Sequence, residues 1–81
     1  MNLFVTNINR TVTDDALRAL FAEFGEVTSA KIVKDKTTGE SKGFGFVEMR
    51  NDHEATMAMK RLSNANFFDR NLLVSKAHHK V

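Results

Sequence analysis

The sequence predicts an α+β fold: a four-stranded antiparallel sheet with two helices on one face. Three observations carry the prediction. Four stretches of the 81 residues alternate apolar and polar side chains with the period of a strand. Two others place apolar residues at i, i+3, i+4 and i+7, the single stripe of a helix that covers something. Their order is βαββαβ, and helices striped on one side need a sheet face to cover. Both helices on one face leave the other face open.

Asn2–Ile8 reads as the first strand, with Leu3 and Val5 on one side and Asn2, Phe4 and Thr6 on the other. Asn9–Val12 connects it to a helix that Thr13 caps. Asp14 and Asp15 fill the first turn, where the helix dipole favours negative charge. Leu17, Leu20, Phe21 and Phe24 make the stripe, and Gly25 stands at the C′ position, where a left-handed residue ends many helices. Val27–Lys34 is a second strand, with Ala30 and Ile32 inward and Lys31 and Val33 outward. Asp35–Ser41 is a polar loop with the turn signal Thr37-Thr38-Gly39. Lys42–Met49 is the third strand. Asn51 or Asp52 caps a second helix striped by Ala55, Ala58, Met59 and Leu62, and Asn64 is its expected end. Phe67-Phe68 precedes a last strand near Asn71–Ala77, with Leu72 and Val74 inward. The elements fill residues 1–81 as one domain, without linker, repeat or low-complexity segment.

The third strand, Lys42-Gly43-Phe44-Gly45-Phe46-Val47-Glu48-Met49, is the most informative stretch. Side chains two apart on a strand share a face, so Gly43, Gly45, Val47 and Met49 form the core side. Lys42, Phe44, Phe46 and Glu48 then share the open face, with two rings between a cation and an anion. Phe4 of the first strand joins them, whereas Phe21 and Phe24 belong to the core. A protein that leaves rings in water usually has something to set against them.

This octamer resembles the RNP1 motif of the RNA recognition motif family, matching at seven of its eight positions; Met49 stands where the pattern has Phe or Tyr. By parity Met49 faces the core, so the departure concerns packing more than binding. Leu3-Phe4-Val5-Thr6-Asn7-Ile8 resembles the companion RNP2 hexamer, and the element order agrees over essentially the whole chain. The resemblance implies the ferredoxin-like βαββαβ sandwich and binding of single-stranded RNA, with single-stranded DNA as a further ligand. Phe4 and Phe44 would each stack a base, Phe46 would pack against sugars, and Lys42 would pair with a phosphate. Glu48, facing the same way, would accept hydrogen bonds from base edges. Lys31, Leu73, Ser75 and Ala77 are expected on the outward face, and Lys34, Lys36, Asn7 and Arg70 around its rim. Lys76 is counted with the RNA-contacting cations. The compact chain is also similar to single-domain RNA-binding proteins of bacteria, including cyanobacteria, which suits a general transcript-binding or chaperone-like role.

Composition bounds the alternatives. Twelve basic residues against ten acidic ones give a net charge of only +2, so distribution matters more than the total. The acids Asp14, Asp15, Glu23 and Glu26 gather at the first helix, whereas Lys31, Lys34, Lys36, Lys42, Arg50, Arg70, Lys76 and Lys80 lie on strand and loop segments. A sheet face more basic than the helical side suits a polyanion. The absence of cysteine excludes disulfides and thiolate metal sites. His78 and His79 suggest a metal pair, but neighbours on an extended tail point apart, and no metal or cofactor is expected. With no spanning apolar run and no signal-peptide pattern, the chain reads as a cytoplasmic monomer without membrane contact. The sequence admits two other readings. Exposed Phe pairs on strands also serve as protein interfaces, and some members of the family bind peptides by other surfaces, but those typically lose the RNP aromatics, and all three here are Phe. The βαββαβ order also hosts acylphosphatase-like enzymes, which use an Arg in the first connection. Arg10 lies there, but no Gly-rich phosphate loop surrounds it, and catalysis is not expected.

Overall fold

The computed structural model describes residues 1–77, so the His78–His79 pair lies outside the described residues. The chain runs β1 (Asn2–Thr6), α1 (Asp14–Ala22), β2 (Val27–Lys34), β3 (Ser41–Met49), α2 (Asp52–Leu62), β4 (Asn66–Phe67), β5 (Arg70–Asn71) and β6 (Leu73–Lys76). Four strands form one sheet in the order β2-β3-β1-β6, with every neighbouring pair antiparallel. α1 packs over β2, and α2 packs over β6, β1 and β3. This is the expected α+β sandwich with one open sheet face.

Local chemistry sets the boundaries. The Thr13 hydroxyl accepts from the Ala16 N–H at 3.1 Å, which starts α1. Asp14 Oδ1 accepts from the Ile32 N–H at 2.9 Å, and Arg18 donates to the Val27 carbonyl at 3.0 Å. Both bonds fasten α1 to β2. The Asn51 side chain accepts from the Glu54 N–H at 2.9 Å and starts α2. That helix carries acids in its first turn and Lys60 and Arg61 in its last, complementing its dipole at both ends. Asn64 takes a left-handed φ of 67° just past α2, as the sequence predicted.

The core lies between sheet and helices. Leu3, Val5, Ala30, Ile32, Val47, Met49 and Leu72 meet Leu17, Phe21, Ala55, Ala58 and Leu62, all buried. Phe24 is half-buried at its margin. Met49 is fully buried, so parity placed it correctly. Gly45 has a packing reason. A Cβ there would press on the Lys31 carbonyl and lie 3.0 Å from the Ile32 Cα, so β2 and β3 could not approach.

Three boundaries depart from expectation. Gly25 does not take a left-handed conformation; α1 ends on a right-handed Glu23, and Phe24 N–H bonds the Phe21 carbonyl at 3.0 Å. Gly25 instead gives room to the Glu54 side chain at the start of α2. β1 stops at Thr6 because Asn7 turns left-handed, φ 59°. The last segment is a β4–β5 hairpin followed by the shorter β6, and not one strand. Its turn places Phe68 (φ 53°) and Asp69 (φ 63°) both in the left-handed region, where Asn-Gly pairs are the usual occupants.

Candidate nucleic-acid interface

The strand registers arrange the open face in rows. Lys31 lies opposite Phe46, Phe46 opposite Phe4, and Phe4 opposite Ser75, a line across all four strands. Residues directly opposite in an antiparallel pair share a face. Toward one end the next row holds Phe44, Thr6 and Leu73; toward the other it holds Ser29, Glu48 and Asn2. The Ala77 N–H bonds the Asn2 carbonyl at 2.8 Å, which sets Ala77 beside that second row.

The rings lean on one another. The Phe4 and Phe46 centroids are 5.1 Å apart at 33°, and those of Phe4 and Phe44 are 5.8 Å apart at 66°. Phe46 is 40% exposed and Leu73 51%, while Phe4 and Phe44 are half-buried. Phe4, opposite Phe46 and edge-on to Phe44, holds the centre of the group. The result is a continuous apolar plate with Lys31, Glu48 and Ser75 at its edges.

Charge is distributed unevenly around the plate. At the Phe44 end, Lys42, Arg70 and Arg10 line one cavity with Thr6, Asn7 and Phe44. Among the described residues, ion pairs form only between the N-terminus and Asp52 and between Arg50 and Glu26, so these three cations are free of carboxylate partners. At the opposite end Glu48 is exposed. The Asp35 carboxylate borders the same end, lining a neighbouring cavity with Arg10 and Lys42. Its Oδ1 accepts from the Thr37 and Thr38 N–H groups at 2.7 and 3.1 Å. The Thr38 and then the Thr37 N–H hold its pKa below the ordinary carboxylate value, and the Lys42 charge adds to the effect.

Several residues stand elsewhere than expected. Lys76 lies opposite Leu3, which is wholly buried in the core, so its side chain leaves the sheet on the helical side. It is not part of the open face. Asn7 is at the rim but occupied: its Nδ2 donates to the Asn71 carbonyl at 2.8 Å, and its Oδ1 accepts from Arg70 at 3.0 Å. It positions Arg70 and ties down the β4–β5 hairpin. Lys34, past a register shift in β2, faces a side cavity with Arg10 and Ser41 and not the rings. Arg10 was not expected at the rim. Antiparallel pairing was the signal that could have found it, because the end of β1 must lie beside the start of β3, where Lys42 sits. Among the described residues no cluster of His, Cys, Asp and Glu could hold a metal ion, and no helix is long and apolar enough to cross a membrane.

The sequence model of the family described as "RNA recognition motif" matches residues 3–73. The chain belongs to that family. A curated relative from Nostoc sp. strain PCC 7120, RbpB, is named as a candidate RNA-binding protein; it is 43% identical over 95% of this chain and 75% of its own length. A solved structure described as RNA binding protein PG1 superposes with a TM-score of 0.97 at 40% identity, covering 100% of this chain and 98% of that one. The structure described as an Sxl-lethal protein/RNA complex superposes with a TM-score of 0.92 at 31% identity, over 99% of this chain and 48% of that one. At these coverages the two structural likenesses extend through both helices and the whole sheet.

Proposed function

We propose that this protein binds single-stranded RNA across its open sheet face. The observation that carries the reading is the plate of Phe4, Phe44 and Phe46 on adjacent strands, in a member of the RNA recognition motif family. Every base has a π-face, so exposed rings stack bases whatever their identity, at about 1–3 kcal/mol for each base by alanine substitution. Phe4 and Phe44 stack bases, Phe46 packs on the sugars between them, and Lys42 and Arg70 hold phosphates. Glu48, Lys31 and Ser75 meet base edges, with Ala77 beside them. Nothing in the stacking chemistry requires a 2′-hydroxyl, so single-stranded DNA is a second ligand.

The protein acts as a cytoplasmic monomer in this reading, in a general transcript-binding role, needs no metal and does not turn over substrate. Incubation with an acyl phosphate is therefore expected to give no hydrolysis. The experiment that tests the binding reading is titration with short mixed-sequence RNA oligomers. Wild type binds, and a folded Phe4→Ala/Phe44→Ala double variant binds far more weakly. If three or four phosphates are contacted, log K falls with log salt at a slope of roughly −2 to −3. Unchanged affinity in the double variant, or a flat salt response, overturns the reading.

A further inference from the structure

The two ends of the open face carry opposite charge. Lys42, Arg70 and Arg10 line the cavity beside Phe44, whereas the row beyond Phe46 holds Ser29, Glu48 and Asn2. Glu48 is exposed and, among the described residues, is the one carboxylate in the rows of the sheet face. The Thr28 hydroxyl bonds its backbone carbonyl at 3.2 Å, but its carboxylate forms no ion pair among those residues. Glu48 also fills the one position that the RNP1 pattern leaves open, so the family does not fix what stands there. We infer that Glu48 makes this face select guanine at the nucleotide stacked on Phe4.

Position and charge both bring a base edge to this carboxylate. Successive side chains on one face of a strand are about 7 Å apart, two residues of rise. Asn2 is that neighbour of Phe4 on β1, and Glu48 lies opposite Asn2 on β3. A base stacked on Phe4 with its Watson–Crick edge turned toward this row presents that edge to Glu48 and Asn2. Phosphates are drawn to the cations at the Phe44 end and repelled by Glu48, so base edges and not backbone meet the carboxylate. Lys31, diagonal to Glu48 between β2 and β3, stays outside ion-pair distance and leaves it uncompensated. An ionised carboxylate only accepts, through two oxygens side by side, so it matches a base with two adjacent donors. Guanine offers N1–H and the N2 amino group in that arrangement, and its O6 is left for a donor, which Asn2 Nδ2 supplies. Adenine and cytosine each set one amino group beside a ring nitrogen whose lone pair repels the carboxylate. Uracil has a single N–H between two carbonyls. Only guanine makes the charge-assisted, bidentate pair, the strong class of hydrogen bond.

The inference rests on the platform reading, and the test separates the two. Anisotropy titrations use labelled pentauridylates whose central residue is replaced by guanosine, inosine or adenosine. Guanosine and inosine differ only in the N2 amino group, so their ratio isolates the edge from the stack. In wild type the guanosine oligomer binds more tightly than the adenosine one by about 5- to 140-fold, the worth of a bidentate pair, and the inosine oligomer falls between. In Glu48→Ala the three affinities converge. Glu48→Gln offers one acceptor and one donor in place of two acceptors, and it levels guanosine with inosine. Phe4→Ala, which removes the stack, weakens all three. Glu48 is exposed, so circular dichroism is expected to show an unchanged fold in its variants. If the oligomers bind but wild type does not separate guanosine from inosine, or the separation persists in Glu48→Ala, the inference falls and the platform reading stands. If wild type binds none of the oligomers, both readings fall.

Discussion

Phe4 ties the aromatic plate together, and replacing it with Ala separates two effects that other substitutions mix. Its ring makes both aromatic contacts on the face, 5.1 Å to Phe46 and 5.8 Å to Phe44. At about 0.5–1.5 kcal/mol for each pair, Phe4→Ala loses about 1–3 kcal/mol of folding stability from pairs alone, and Phe44→Ala half of that. Binding behaves differently. Each variant removes one stacking surface, so each loses about 1–3 kcal/mol of RNA affinity, or about 5- to 140-fold in Kd. The two variants should therefore match in binding and differ in stability. Urea unfolding followed by circular dichroism measures the second quantity, since the chain has no Trp or Tyr to report by fluorescence. Anisotropy titration with a labelled oligomer, well below the unfolding midpoint, measures the first. Phe4→Leu completes the set because it keeps the apolar bulk and loses the π-face. Wild-type affinity in Phe4→Leu would refute stacking at this position. Equal destabilisation by Phe4→Ala and Phe44→Ala would refute the pairwise account.

Three other outcomes follow from the same geometry. Gly45→Ala drives a Cβ into the β2 backbone at Lys31 and Ile32, and should lower stability by about 1–3 kcal/mol, read as a shifted urea midpoint with an unchanged slope. Lys42→Gln should weaken RNA binding and make its salt slope shallower by roughly 0.7, whereas Lys76→Gln, on the helical side, should leave both as in wild type. The Asp35 carboxyl is held below its ordinary value of 3.8, so the turn it makes with Thr37 and Thr38 is fully stabilised above that pH and lost as pH falls through the lower folded value. The Thr37 and Thr38 amide resonances should titrate together with a midpoint below 3.8, and a midpoint at or above it would contradict the hydrogen-bonded turn.

What the sequence made legible was whatever obeys a period. The i+2 rule put Phe4, Phe44, Phe46 and Glu48 on one face and Met49 in the core, because strands of five to nine residues leave little room for drift. The same rule placed Lys76 with Leu72 and Val74 on the inner side; counting it as an RNA contact weighed its charge above its parity. Helix stripes were equally readable. The structure hid the features that depend on backbone conformations outside the usual strand and helix wells. The hairpin turn at Phe68 and Asp69 has left-handed φ values without the Asn-Gly pair that signals them. Gly25 carries a packing requirement from Glu54, distant in sequence, that no local rule expresses. The sequence places Asn7 at the rim but carries no signal for the hairpin that uses both its donor and its acceptor. Arg10 was read only as a possible enzyme residue, since a connection has no period to say where its side chain goes.

The arrangement of polar groups limits what this face can discriminate. The centre of the plate is made of rings, and Lys42, Arg70 and Arg10 cluster at the Phe44 end, where in the proposed reading they meet phosphates common to every sequence. Glu48, Lys31 and Ser75, with Thr6, Ser29 and Asn2 in the flanking rows, are the groups beside the rings able to donate to or accept from a base edge. The rim amide Asn7 has both ends of its side chain committed to Arg70 and Asn71. In the proposed reading affinity comes mainly from stacking and charge, neither of which distinguishes one base from another. A duplex keeps its base faces stacked inside and gives the rings nothing to cover, so the same arrangement that is tolerant of sequence is selective for single strands.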